Sequence, residues 1–181
     1  MNQVTEFMEK FVLKSEINEL IDTKRVVKIN REYFLVPESF MKNNHDKTNH
    51  DKGDYDKDNY DKNNYDKTHT SSHLASSGIP LGLAKEQFVP SLALLEIISR
   101  KSKKKIVINE KAEWLFLCGR DIFGNSVISH NDQKKGDLTL VQNERDENLG
   151  YGKVLESISD SDHIVVKNLL DRGDFLRREK D

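Results

Sequence analysis

His45, His50 and His69 stand among aspartates that recur every five residues, and imidazoles and carboxylates in such an array can ligate a metal ion. The array runs His45-Asp46-Lys47, His50-Asp51-Lys52, Tyr55-Asp56-Lys57, Tyr60-Asp61-Lys62 and Tyr65-Asp66-Lys67. A metal would first have to order it, because no aliphatic residue occurs from Asn43 to His73. The plainer reading is an expanded low-complexity segment. His130 and His163 have no metal-binding neighbours at useful spacing. Sets for covalent chemistry are missing: there is no G-x-S-x-G elbow, C-x-x-C, H-E-x-x-H or phosphate loop. Gly150-Tyr151-Gly152 is a G-x-G without its third glycine, and reads as close backbone approach or a bulge. What remains is cationic. Arg100, Lys101, Lys103, Lys104 and Lys105 form the densest positive run, either a solvated linker after a helix or a track for phosphates.

Bulk charge does not decide between those two. The net charge is −2, with 13 basic and 16 acidic residues over 1–99 against 16 and 15 over 100–181. Neither half is a polycation, so any polyanion site must be a local patch. Cys118 is the single cysteine and cannot form an internal disulfide, which points to a reducing, cytoplasmic setting. No apolar run approaches 18 residues and the start has no leader pattern, so no membrane association is expected.

The elements that must position these cations are legible in part. Val4, Phe7, Met8, Phe11 and Val12 fall at helical spacing and predict an amphipathic helix over 4–13. RVVKI (25–29) and YFLV (33–36) predict a hairpin turning at Asn30-Arg31-Glu32, stopped by Pro37. Residues 43–74 read as a disordered surface insertion, too poor in apolar area to offset its ordering entropy. An extended segment, Ile79 to Phe88, leads into a helix over 90–101 with Ser91 at its N-cap. A domain boundary is set at 101/102. Beyond it come the strand KIVIN (105–109), the strands GDLTLVQN (136–143), LGYGKVLE (149–156) and HIVVKNLL (163–170), and a charged tail. The apolar run WLFLCG (114–119) fits a strand or a buried helix equally. Trp114, Phe116 and Phe123 could stack bases, but inside an apolar run they are read as core. Several short strands in about 80 residues suggest a small barrel or open sandwich.

These residues resemble a known family. The run from KIVIN through KAEWLFLCGRDIF, GDLTLVQN and NLGYGKV to IVVKNLLDRGDFLRRE is similar to a PUA domain, the pseudo-barrel of pseudouridine synthases and archaeosine transglycosylases. YFLVPESF, then GIPLGLAKEQF before an apolar helix, resembles the pre-PUA domain of the Nip-seven family of large-subunit biogenesis proteins. The implied fold class is α+β. An N-terminal pre-PUA α/β domain over 1–101, interrupted at 43–74, precedes a C-terminal PUA pseudo-barrel over 102–181. The implied function is RNA binding in rRNA processing and large ribosomal subunit assembly. No catalysis and no cofactor are implied. The partners would be pre-rRNA and other assembly factors, and the chain a monomer. The alternatives are the RNA-docking part of a tRNA- or rRNA-modifying enzyme, and a protein–protein adaptor.

In PUA domains RNA lies against the segment after the first strand and against the last strand with its tail. Carried over, that implicates Arg172, Arg177, Arg178 and Lys180, with the two adjacent arginines on opposite faces if extended. Lys153 and Lys167 in neighbouring strands, Arg120 after the apolar run, and the Lys103, Lys104, Lys105 cluster are the further candidates.

Overall fold

The computed structural model describes residues 2–39, 78–174 and Arg177. The five-residue repeats with His45, His50 and His69 lie outside these, as do Arg178 and Lys180. Among the described residues no helix is long and apolar enough to cross a membrane.

The first helix, α1 (Gln3–Met8), is shorter than the periodicity predicts. The chain breaks after Met8 and restarts as α2 (Lys14–Leu20), because the Glu16 carboxylate accepts from the Leu13 backbone N–H at 2.8 Å and caps a new helix. Val4, Phe7, Met8, Phe11 and Val12 are nevertheless all buried, since the intervening turn keeps them on one side. The strands β1 (Val26–Ile29) and β2 (Glu32–Leu35) form the expected hairpin. Its turn is Asn30-Arg31, and Asn30 takes the positive φ of 53° that tight hairpins need. With β3 (Ile79–Leu83) and β4 (Val89–Pro90) they make an antiparallel sheet in chain order. Helix α3 (Leu92–Ser99) follows, its Leu94 N–H donating to the Ser91 hydroxyl at 3.0 Å, so the predicted N-cap stands.

The second sheet has six strands: β5 (Lys105–Ile108), β6 (Ile122–Phe123), β7 (Val127–His130), β8 (Leu138–Gln142), β9 (Asn148–Val154) and β10 (Ile164–Asp171). Their order is β6-β10-β9-β8-β5-β7, with β5 and β8 parallel and every other pair antiparallel. This nearly closed, barrel-like sheet is the expected PUA pseudo-barrel within an α+β chain. Of the run WLFLCG, WLFL is helical and closes α4 (Glu110–Leu117), started by Asn109 accepting from the Ala112 N–H at 2.9 Å. Ala112 and Phe116, four residues apart, bury one face of it over the barrel. The short strands β6 and β7 escaped the sequence reading, because they carry too few apolar residues to show a period.

Gly150 and Gly152 confirm close backbone approach. A side chain at Gly150 would strike the Leu170 carbonyl and Asp171 Cα, and one at Gly152 the Lys167 carbonyl and Val166. Two main apolar clusters result. One lies inside the barrel around Ile106, Ile108, Phe116, Val141 and Val165. The other joins α1, α2 and α3 to Leu140 and Tyr151 of the second sheet.

Candidate functional site

The corner where α4 ends and the chain leaves β10 holds Arg177. Arg177 sits in a helical turn, its N–H donating to the Gly173 carbonyl at 3.2 Å, and is not extended. Its guanidinium is committed internally. Nη1 and Nη2 donate to the two carboxylate oxygens of Asp171 at 3.0 and 2.7 Å, and Nη1 also donates to the Leu117 carbonyl at 2.5 Å. The Asp171 side chain is 2% exposed. The hydrogen bonds to Asp171 hold the Arg177 pKa above its ordinary value. The expectation that Arg177 offers its fork to phosphate is therefore corrected: the fork pins the tail onto α4, with the guanidinium lying over Gly119. Asn168 completes the lock, donating from Nδ2 to the Phe116 carbonyl at 3.0 Å and to Asp171 at 3.1 Å.

Arg172 is also engaged, in an exposed ion pair with Glu96 of α3 at 3.0 Å. Such a surface pair contributes about 0–1 kcal/mol and leaves Arg172 competent to exchange partners. Arg120 is different. Its backbone closes the turn after α4, with its N–H on the Leu115 carbonyl at 3.0 Å, while its exposed side chain has no ion-pair partner among the described residues. The aromatic assignment is corrected here as well. Phe116 is core at 1% exposure, but Trp114 is 69% and Phe123 43% exposed. The helix explains it. Phe116 and Ala112 share the buried face, and Trp114 lies about 160° around the helix from Phe116, at roughly 100° per residue. A strand would have put Trp114 and Phe116 on the same face.

The remaining lysines converge elsewhere. An open cavity of about 940 Å³ separates α1 and residues 86–88 from the face of β8, β9 and β10. Lys104, Lys153 and Lys167, three of the predicted cations, line it, and Lys10, in the turn after α1, faces them from the other wall. Lys153 and Lys167 are direct register partners across β9 and β10. Neither has an acidic partner among the described residues, whereas Lys104 has Asp137 at 3.9 Å. Glu6 and Glu86 lie on the α1 side of the cavity, and neither pairs with a lysine among the described residues. The apolar part of the lining is Phe7, Phe88, Leu138, Leu155 and Leu169, the last 42% exposed. Lys10 and Phe88 were not legible as site residues, because only the fold carries them across to the second sheet. Lys103 and Lys105 do not join this group. The Lys103 carbonyl accepts from Asn131 and the Lys105 carbonyl from Gln133, so their backbone braces the barrel rim. Among the described residues no three His, Cys, Asp or Glu side chains cluster as a metal site.

The described geometry has counterparts among known proteins. A hypothetical protein of the hyperthermophilic archaeon Pyrococcus horikoshii OT3 shares the fold across 99% of this chain and 95% of its own, with a TM-score of 0.55 at 16% identity. A UPF0113 protein of Archaeoglobus fulgidus is 34% identical over 109 residues, covering 58% of this chain and 63% of the relative. A UPF0113 protein of Aeropyrum pernix is 34% identical over 107 residues, covering 57% and 58%. The chain thus spans less than two thirds of the length of either curated relative. Residues 104–180, which include the strands of the barrel, match the family model of the UPF0113 PUA domain.

Proposed function

We propose that this chain is a non-catalytic RNA-binding protein acting in rRNA processing and large ribosomal subunit assembly. Its partners are pre-rRNA and other assembly factors. The likeness of residues 104–180 to a PUA domain supports the RNA reading. The observation that carries it is the corner at the end of α4, where Trp114 is 69% exposed and Arg120 follows, its guanidinium without an ion-pair partner among the described residues. A solvent-facing indole forfeits the stabilisation of burial, and a base stacked on it recovers that. Arginine adds a planar cation that grips phosphate through two oxygens. Unpaired or irregular RNA, whose bases are free to stack, is the target such a corner fits.

The test is fluorescence anisotropy of a labelled, unstructured RNA with W114A and R120A variants of the full chain. W114A is expected to weaken binding about tenfold, the scale of one lost base stack. R120A is expected to flatten the salt dependence of log K by about 0.7, one phosphate contact on a single strand. Wild-type affinity and slope in both variants would refute the corner as the RNA site.

A further inference from the structure

Building on that RNA reading, we propose that the cleft between α1 and the β8–β9–β10 face is a second nucleic-acid site. It tracks the phosphates of an unpaired RNA strand through Lys153 and Lys167 on one wall and Lys10 on the other. Three observations converge. First, Lys153 and Lys167 stand opposite each other in register, and like charges in that position repel. Neither lysine forms an ion pair among the described residues, the cavity's Asp137 standing beside Lys104 instead, so an anion bridging the two ammonium groups would relieve the repulsion. Second, Lys10 and Lys104 border the same cavity, so four cations from four chain segments surround about 940 Å³. Third, the lining includes apolar side chains, with Leu155, Leu169 and Phe88 offering surfaces for ribose and base faces.

The chemistry selects the class of ligand. All four cations are lysines, point charges on flexible stems, with no arginine fork to fix one phosphate geometry. Mobile point charges over an apolar floor suit a backbone passing through, as in grooves that hold single strands without reading sequence. A compact nucleotide would instead call for convergent donors in an enclosed pocket. The acids Glu6 and Glu86 line the α1 side, and Asp137 lines the barrel side beside Lys104.

The experiment measures the salt dependence of binding of an unstructured 5′-labelled RNA to the full chain, for wild type, K153Q/K167Q, K10Q and R120A. Each lost phosphate contact on a single strand lowers the slope of log K against log salt by about 0.7. The expected losses are therefore about 1.4 for K153Q/K167Q and about 0.7 for K10Q. Thermal melting guards against misfolding. Removing two facing like charges leaves Tm unchanged or raised, and a lowered Tm would mean the lysines are structural and overturn the proposal. Wild-type slopes in both groove variants, with R120A impaired, would sink the cleft and leave the corner standing. Loss in the groove variants with R120A unaffected would support the cleft and refute the corner. No binding by the wild type would overturn both. A polyglutamate peptide that displaces the RNA at equal charge concentration would overturn the nucleic-acid assignment in favour of an acidic protein segment.

Discussion

Replacing Arg177 with Ala should lower the stability of this protein while leaving its phosphate contacts intact. The substitution removes two hydrogen bonds to Asp171, at 3.0 and 2.7 Å, and one to the Leu117 carbonyl. It strands a carboxylate whose side chain is only 2% exposed. Breaking a fully buried ion pair from one side costs roughly 3–5 kcal/mol. Two features reduce that figure. Asp171 keeps the Gly173 N–H at 2.8 Å and the Asn168 amide at 3.1 Å, and the Arg177 side chain is itself 39% exposed, so water screens the pair. About 2 kcal/mol remains. For a chain of this size each kcal/mol shifts Tm by about 2–4 °C, so a fall of about 4–8 °C is expected by calorimetry. The double variant R177A/D171N removes the stranded charge and should recover part of that loss. The salt slope of RNA binding should be unchanged in R177A. An unchanged Tm together with a slope reduced by about 0.7 would refute this reasoning and restore Arg177 as a phosphate contact.

Other perturbations follow from the same geometry. Asn109→Ala removes the N-cap of α4 and should cost about 1 kcal/mol by urea denaturation, with Asn109→Asp recovering most of it. Gly150→Ala forces a side chain into the Leu170 carbonyl of the neighbouring strand, at a positive φ of 154°. It should destabilise by about 2 kcal/mol or abolish soluble expression. Burial raises the Tyr151 pKa, so its phenol stays neutral in the fold while the unfolded phenol ionises near 10. The stabilising contribution is thus full below pH 10 and lost as pH rises through the folded value, which alkaline denaturation monitored by phenolate absorbance will report.

Legibility from sequence tracked how far a residue's partners lie along the chain. The β1–β2 hairpin and the Ser91 cap depend on neighbours within ten residues, and both were readable. The break after Met8 was not, because the apolar period runs on through Phe11 and Val12 while the capping carboxylate of Glu16 lies beyond it. Strand and helix were equally open for WLFLCG, and the choice decides whether Trp114 faces the core or the solvent. Arg177 illustrates the harder limit. Its sequence neighbours Glu179 and Asp181 allow a solvated charged tail, yet its main partner is Asp171 at the end of β10. The cleft was legible only from one side: Lys104, Lys153 and Lys167 were named as cations, but nothing local announces that Lys10 faces them.

The boundary set at 101/102 divides the sequence, but the core crosses it. Phe7 stands edge-on to Tyr151 with ring centroids 5.6 Å apart, and Phe11 approaches the same ring at 6.3 Å. Leu140 of β8 is fully buried in that cluster, and the Ser102 hydroxyl donates to the Phe11 carbonyl at 3.1 Å. A fragment of residues 102–181 would therefore expose Leu140, Tyr151 and the flank of Leu170 together. An apolar patch of that kind on an isolated fragment promotes association. The fragment is expected to bind an apolar dye and to melt below the full chain, and adding Tyr151→Thr should reduce the dye signal. A monomeric fragment that binds no dye and melts with the full chain would show that the barrel is independent. The proposed cleft would then lose its fixed second wall, because α1 would no longer be held against the sheet.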